Sequence, residues 1–223
     1  MTKIAIVFGA SGASGKALCL KLLKEEKISK LIAVTRKPLN FLSNKKLHVL
    51  KLSEEELFSL ESFLPLVKSS IDLAFCCLGT TRKKSKSAKL FKKIDFELPL
   101  KLAQVIKKDK VPHFSLISAK GANPSIWALD LALFHPLLYT KTKGELEREL
   151  IKLNFSCLHI FRPGLLNRRQ EDPRFFESLA LKLIPSLNVD KLATFMIRKS
   201  LDRDNQKKIK RVMIFEDKDI LPR

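Results

Sequence analysis

The feature that most constrains this chain is a glycine cluster near its start. Gly9, Gly12 and Gly15 are spaced three apart, between an apolar, strand-like run at 3–8 and a helix-like run at 14–27. Glycine permits tight turns and close backbone approach to a bound group, while a helix N-terminus attracts negative charge. An ordinary strand-to-helix turn needs one glycine. Three at this spacing therefore predict a loop that holds the pyrophosphate of a dinucleotide.

Polar side chains in and near this loop extend the predicted cofactor site. Ser11 and Ser14 stand inside the cluster and are candidates to donate hydroxyl hydrogen bonds to phosphate. The second predicted strand leads into Arg36 and Lys37, where a site for NAD usually carries an acid that binds the ribose 2′-hydroxyl. Here two cations stand with no acid beside them in the sequence. Because cations bind a 2′-phosphate, they predict NADP(H) as the cofactor. The alternative is a pair of surface cations in a lysine-rich chain.

Beyond the glycine cluster, short apolar runs alternate with longer helical ones. Further strands are predicted at 30–35, 47–52, 71–78, 113–118, 155–161 and 211–215. Further helices are predicted from about Ser53 and at 138–153, 174–183 and 189–201. Basic helical sequence is also predicted after the strand at 71–78, with a break before Pro99. This alternation is typical of a parallel sheet with helices on both faces. We predict one Rossmann-type, doubly wound α/β domain over residues 1–223, with a small substrate-side extension over about 165–210.

Composition and the start of the sequence indicate what kind of protein this is and where it is expected to be found. The 223 residues are 45% hydrophobic, which is enough to form a core. The chain has no run of about 18 uninterrupted apolar residues, so we predict no membrane span. Because the first strand begins almost at Met1, we expect no signal peptide and a cytoplasmic location.

Cysteine and histidine usage predicts no metal site. None of the four cysteines belongs to a C-x-x-C pair, and each lies in an apolar run, so we interpret them as buried free thiols. The four histidines are scattered along the chain without the H-x-x-x-H spacing of a helical ligand pair.

The net charge of +20 raises the question of an acidic partner. Residues 82–110 hold eleven Lys or Arg against three Asp or Glu. Such a stretch is either a nucleic-acid or acidic-partner surface, or a solvated helical face. We favour the solvated face and expect only weak, salt-sensitive nucleic-acid binding without sequence specificity. A protein partner stays open, as does the choice between a monomer and a homodimer.

The single tyrosine provides the main catalytic signal. Tyr139 and Lys143 lie four residues apart, so a helix presents both on one face. A neighbouring cation favours the ionised form of a phenol, which can then exchange a proton with a carbonyl or an alcohol. By itself this spacing is common by chance. It gains weight from the glycine loop and from Ser118, which ends a predicted strand and is a candidate to polarise a carbonyl.

Together these segments resemble the short-chain dehydrogenase/reductase superfamily in its atypical branch. The chain is most similar there to the Tat-interacting oxidoreductase family. The matching segments are GASGASG (9–15), FCCLGTTR (75–82), HF (113–114), KGA (120–122), YTKTKGE (139–145) and FRPG (161–164).

The resemblance implies a Rossmann fold that binds NADPH. The first function hypothesis is therefore an NADPH-dependent reductase of a small carbonyl compound. The resemblance also implies that Leu78 and Gly79 lie beside the cofactor and that Tyr139 donates the proton. Lys143 is expected to bridge Tyr139 and the nicotinamide ribose. The segment Arg162-Pro163 is expected to pass close to the nicotinamide.

One departure leaves two functions open. Where the superfamily usually has Ser or Thr as the second member of a small-polar pair, this chain has Ser118-Ala119. The intact Tyr139/Lys143 pair favours a reductase. Ala119 and the high charge favour a regulator that binds NADP(H) and a macromolecular partner without turnover. The cations Arg168, Arg169 and Arg174 indicate either an anionic substrate group or a solvated loop.

Overall fold

A parallel sheet organises the computed structural model of this protein, which describes residues 2–39, 44–80, 87–128, 135–167, 186–202 and 211–220. The seven strands of this sheet are β1 (Lys3–Phe8), β2 (Ile28–Thr35), β3 (Leu47–Lys51), β4 (Leu73–Cys76), β5 (His113–Ile117), β6 (Cys157–Arg162) and β9 (Val212–Glu216). Their order is β3-β2-β1-β4-β5-β6-β9 and every neighbouring pair is parallel. This order is that of a doubly wound nucleotide-binding sheet.

Helices cover both faces of the sheet. They are α1 (Ala13–Leu22), α2 (Glu54–Ser59), α3 (Leu64–Val67), α4 (Ala88–Lys92), α5 (Leu98–Lys108), α6 (His135–Lys152), α7 (Val189–Leu201) and α8 (Asp217–Ile220). Successive strand residues face opposite sides, so Phe75 packs with the residues of α1 and α7, while Ala74 packs with those of α5 and α6. Burial on both faces explains why β4 is apolar along its whole length. The predicted doubly wound α/β class is confirmed.

The strand order reverses between β1 and β4, and this point determines where a ligand can lie. The chain leaves β1 toward α1 and β2 on one side, and it leaves β4 toward β5 on the other. The connections after the two strands therefore diverge and open a crevice at the carboxyl edge of the sheet. The glycine cluster follows β1 at this edge, and Leu78 and Gly79 follow β4.

The predicted helix break before Pro99 is wrong. A five-residue π-helical turn, Lys93–Glu97, joins α4 to α5, and Pro99 lies in the first turn of α5. Proline cannot donate the backbone hydrogen bond of a helix interior and its ring crowds the preceding turn. The wider π turn accommodates both constraints without ending the helix. It also brings Asp95 into the protein interior.

Other boundaries differ less. Helix α1 ends at Leu22 instead of 27, because Lys24 and Glu25 form turns by donating backbone hydrogen bonds to Lys21 and Leu22. The helix predicted at 189–201 is confirmed with those bounds. Residues Leu166–Asn167 (β7) pair with Leu187–Asn188 (β8) in a separate ribbon. The predicted helix at 174–183 and the three arginines of that region lie outside the described residues, so the substrate-side extension stays a prediction.

Several surface expectations can be compared with the structure. None of the four cysteines forms a disulfide bond, and three of them are buried, as predicted; Cys77 is half-buried. Burial raises the pKa of Cys19 to about 12. In the basic stretch, residues 82–86 are not described, while Lys101 and Lys108 form ion pairs with Glu61. Within the described ranges, no helix has both the length and the apolarity that a bilayer crossing requires.

Candidate functional site

The glycine loop is built by backbone contacts that exclude side chains. Gly9 has a φ of +79°, and a Cβ there would lie 3.0 Å from the carbonyl oxygen of Cys77. A Cβ on Gly15 would overlap the carbonyl oxygen of Gly9. The first glycine therefore lets the loops after β1 and β4 touch, and the third lets α1 pack onto the loop.

The start of α1 stays open between these contacts. Gly12 is the N-cap and provides no side chain to bond the first amides of the helix, and the first turn contains no acid. A Cβ on Gly12 would meet only the carbonyl oxygen of Gly9, at 3.4 Å. Ser11 is exposed and Ser14 is half-buried at the same opening. Uncapped amides, a helix N-terminus and two hydroxyls fit the pyrophosphate of a dinucleotide.

The cations after β2 have an acidic neighbour that the sequence did not indicate. Arg36 and Lys37 are exposed at the same edge of the sheet. Glu54, in the first turn of α2, contacts the guanidinium of Arg36 at 3.3 Å and the ammonium of Lys93 at 2.8 Å. The premise that no carboxylate stands near these cations is therefore wrong in three dimensions. Arg36 remains 60% exposed and open to a ligand.

A buried carboxylate holds the loop after β4. Asp95 is fully buried in the π-helical turn, and its Oδ2 accepts a hydrogen bond from the amide of Thr80 at 2.8 Å. The neighbouring Gly79 is exposed, and Leu78 is half-buried. A Cβ on Gly79 would lie 3.5 Å from Asp95 Oδ1. Asp95 therefore fixes the loop in which Leu78 and Gly79 are predicted to face the cofactor.

The same carboxylate fixes Lys143. Its Oδ1 lies 2.8 Å from Lys143 Nζ, and the two side chains are 0% and 3% exposed. Burial is the largest single contribution and acts to lower the pKa of Lys143. The charges of Asp95 and Tyr139 and the hydrogen bond to Asp95 together outweigh it, so the pKa lies above its usual value. The lysine is therefore held as a cation beside the loop that contains Gly79.

Tyr139 lies one helical turn before this lysine. Tyr139 is half-buried, and the centre of its ring lies 5.9 Å from Lys143 Nζ. The ring of Phe91 also lies near it, with 5.9 Å between the two ring centroids. The predicted one-face arrangement of Tyr139 and Lys143 is confirmed. Glu147, one turn further, extends the same face.

Glu147 binds two residues at the ends of neighbouring strands, Ser118 and Arg162. It is 3% exposed and accepts a hydrogen bond from the hydroxyl of Ser118. The guanidinium of Arg162 binds it in a two-pronged pair, with contacts between 2.5 and 3.1 Å. This hydrogen bonding raises the pKa of Arg162. Ser118 therefore turns toward α6, with its hydroxyl engaged, and Arg162 is held by the helix that contains Tyr139.

Close backbone packing fixes the position of α6. A Cβ on Gly144 would overlap backbone atoms of Asn123 and Pro124, in the segment that follows β5. The amide of Asn123 also donates to the carbonyl of Thr140 at 3.1 Å. Nearby, the carbonyl of Pro163 accepts from the amide of Lys120 at 2.9 Å. The segments after β5 and β6 are thus tied to each other and to the helix.

Besides Glu54, sequence reasoning missed two residues of this site, Asp95 and Glu147. Glu147 lies four residues after Lys143, so helix geometry could have predicted that it lies on the same helix face as Tyr139 and Lys143. Asp95 is one of only three acids in a strongly basic stretch, which is a weaker signal. The catalytic and cofactor roles of the predicted residues stay predictions.

The sheet order, the glycine loop at its switch point and the Tyr-x-x-x-Lys helix define a Rossmann-type protein of the short-chain dehydrogenase/reductase kind. The family model described as HIM1 matches residues 37–198. The chain belongs to the HIM1 family.

Two curated relatives cover most of the chain. Protein HTATIP2 of Rattus norvegicus is 33% identical over 185 residues, which are 83% of this chain and 72% of that protein. Protein FMP52, mitochondrial, of Candida albicans is 31% identical, over 91% of each chain. FMP52 proteins of Candida glabrata and Scheffersomyces stipitis are likewise named mitochondrial. These relatives contradict the cytoplasmic location expected from the start of the sequence.

Solved structures agree with the fold. The oxidoreductase ylbE of Lactococcus lactis has a TM-score of 0.66 at 18% identity, over 95% of this chain and 89% of that one. MoeE5, solved with UDP-glucose and NAD, has a TM-score of 0.69 at 15% identity, over 96% and 75%. A short-chain dehydrogenase of Burkholderia cenocepacia, solved with NADP, has a TM-score of 0.66 at 14% identity, over 96% and 88%.

Proposed function

We propose that this protein is an NADP(H)-dependent oxidoreductase that reduces a small carbonyl compound. The observation that carries the proposal is the Asp95–Lys143 pair, which holds a buried ammonium beside both Tyr139 and the loop with Gly79. A lysine is seldom buried to this degree unless it is paired. Its position suits a cation that binds a ribose hydroxyl and favours proton release from a phenol.

The roles of the residues follow from their places. Gly9, Gly12 and Gly15 shape the loop for the pyrophosphate, and the open start of α1 provides the amides. When bound, NADPH supplies the hydride that reduces the carbonyl carbon. Tyr139 donates its phenolic proton to the carbonyl oxygen, and Lys143 stabilises the phenolate that remains.

The choice of NADP(H) rests on the cations after β2. Arg36 is exposed beside Lys37, and a guanidinium pairs well with a 2′-phosphate. Glu54 competes with a 2′-phosphate for Arg36. The preference for NADPH over NADH is therefore expected to be smaller than Arg36 and Lys37 alone would produce. Neighbours solved with NAD and with NADP share this fold, so the fold itself leaves the choice open.

Calorimetric titration with NADPH and NADH tests the cofactor. We expect tighter NADPH binding in the wild type and a smaller or reversed gap in Arg36→Asp. Lys24→Asp is the matched control, since it makes the same charge change at an exposed position beyond the end of α1. Equal affinity for both dinucleotides in the wild type would refute the NADP(H) assignment.

Turnover is tested with a panel of aldehydes, ketones and quinones in the presence of NADPH. Tyr139→Phe removes the transferable proton and retains the ring, so we expect a loss of about 10²–10⁴ in rate with NADPH affinity nearly unchanged. Lys143→Ala is expected to weaken both turnover and binding. A Tyr139→Phe variant that retains wild-type turnover would exclude this tyrosine as the proton donor.

A second function has its own support. Ala119 replaces the usual hydroxyl, and the hydroxyl of Ser118 is bonded to Glu147. These observations favour an NADP(H)-binding regulator that contacts a protein partner and turns over little substrate. Tight NADPH binding without oxidation by any compound of the panel would favour the regulator over the reductase.

A further inference from the structure

A cluster of metal-ligand side chains lies away from the site described above. His113, Cys157 and His159 are all buried, and one potential ligand atom of each lies within 4.8 Å of the others. Within the described ranges, this is the one group of three His, Cys, Asp or Glu side chains with such spacing. His113 lies far from Cys157 and His159 in sequence, which is why linear spacing predicted no metal site.

The register of the sheet creates the cluster. His113 is the first residue of β5 and pairs with Cys157, the first residue of β6. Two residues further along, Ser115 pairs with His159, so all four side chains point to one face. That face is covered by α7, which contributes Ser200. The cluster therefore lies at the amino ends of the strands, opposite the edge where Ser118 and Arg162 are found.

The distances are close to those of a coordination sphere. Cys157 Sγ lies 3.2 Å from His159 Nε2. Bond lengths of about 2.3 Å to sulfur and 2.0–2.1 Å to nitrogen separate the two ligand atoms by about 3.5 Å in a tetrahedral zinc site. The remaining pairs of ligand atoms lie no more than 4.8 Å apart.

The surroundings resemble the outer shell of a metal site. His113 Nε2 lies 2.9 Å from the hydroxyl of Ser115 and 3.3 Å from that of Ser200. Hydrogen bonds to the second ring nitrogen commonly orient histidine ligands. Beyond them the wall is apolar, with the ring of Phe215 edge-on to His159 at 5.4 Å. A ligand set of two imidazoles and one thiolate selects thiophilic ions over magnesium or calcium.

We propose that His113, Cys157 and His159 form a structural site for one thiophilic d¹⁰ cation, Zn²⁺ or Cu⁺. The ion links β5 to β6 beneath α7 and is acquired as the chain folds, because the cluster is closed to solvent. The site is independent of the proposed oxidoreductase function.

Metal content and cobalt substitution test this site in the full-length chain. We expect about one equivalent of zinc or copper in protein produced with both metals present. Protein that is unfolded in the presence of a chelator and refolded with Co²⁺ is expected to show cobalt–thiolate charge-transfer absorption. This absorption should disappear in Cys157→Ser and persist in Cys19→Ser, a buried cysteine outside the cluster.

Thermal unfolding distinguishes the two ions. The ion that fits should raise the wild-type Tm by roughly 5–10 °C at about 100 times its Kd, and it should leave Cys157→Ser unchanged. If Cys157→Ser does not fold, the triple variant Cys19→Ser/Cys76→Ser/Cys77→Ser decides, since Cys157 is then the only thiol. A wild type with neither metal nor cobalt absorption overturns the proposal. So does absorption that persists in Cys157→Ser or disappears in the triple variant.

Discussion

Two ion pairs lie one helical turn apart on the same face of α6, and they are built differently. Asp95–Lys143 is sealed, with neither side chain more than 3% exposed, and it anchors the loop after β4 through Thr80. Glu147–Arg162 is partly open, since Arg162 is 22% exposed, and its acid also binds the hydroxyl of Ser118.

The difference separates two halves of one predicted site. The sealed pair fixes the residues expected to hold a cofactor, because both charges are buried and Asp95 also binds the amide of Thr80. The open pair engages the hydroxyl that was expected to act on a carbonyl. The residues predicted to hold the cofactor are therefore fixed in place, while the predicted role of Ser118 at a carbonyl requires that Glu147 release its hydroxyl.

The largest effect is expected for Asp95→Ala, which removes the acid of the sealed pair. The substitution leaves a buried ammonium without its acid, so we expect a loss of about 3–5 kcal/mol in the free energy of unfolding. Asp95→Asn retains an acceptor for Thr80 and should lose less. Urea unfolding measures both.

The matched control for that experiment is Glu61→Ala at the exposed pair with Lys108. Exposed pairs contribute little, so this variant should unfold almost as the wild type does. An Asp95→Ala loss no larger than that of Glu61→Ala would mean that the sealed pair does not stabilise the fold.

Gly144→Ala tests whether α6 must pack as closely as it does for both pairs to form. The new methyl group would overlap the backbone at Asn123 and Pro124, so the helix must move. We expect a loss of about 1–3 kcal/mol in unfolding free energy. Gly12→Ala is the control, because the nearest atom to its new Cβ lies at 3.4 Å. Equal stability of the two variants would show that α6 can shift freely.

Much of the fold could be predicted because it is encoded locally. The glycine cluster marks β1 and α1, and continuous apolar runs mark strands buried on both faces, such as β4. The rule for proline failed at Pro99, because a π-helical turn satisfies the local constraints without breaking the helix. The end of α1 was placed too late, since the charged residues after Leu22 suit a turn as well as a helix.

The site was predictable only where its members share one element. The spacing of Tyr139 and Lys143 is a property of a single helix and could be read directly. The partners Asp95 and Arg162 come from other elements, and only the packing of α6 onto the sheet brings them together. The same applies to Glu54, which approaches Arg36 because α2 begins near the end of β2.

A smaller effect is expected in the pH dependence of the sealed pair. In the wild type Asp95 raises the pKa of Lys143, so the stabilisation is complete below the unfolded pKa of about 10.5 and is lost as pH rises past the folded pKa. In Asp95→Asn the charge of Asp95 is absent, so burial, the largest contribution, is expected to lower that pKa, and stability should rise as the lysine deprotonates. The stability gap between the two proteins should therefore narrow between about pH 8 and pH 11. A gap that widens over this range would contradict the assignment.

The smallest expected effect on stability is at the open pair. It tests whether Glu147 holds the hydroxyl of Ser118. A double-mutant cycle with Ser118→Ala and Glu147→Gln measures the coupling of the hydroxyl to the acid. Because Arg162 still binds Glu147 when the hydroxyl is removed, we expect Ser118→Ala alone to lose only about 1 kcal/mol, most of it as coupling to Glu147. Ser115→Ala, in a different polar cluster, should show no coupling to Glu147→Gln. Coupling near zero for Ser118 would mean that Glu147 does not engage the hydroxyl, which would then be available for the role predicted for it at a substrate carbonyl.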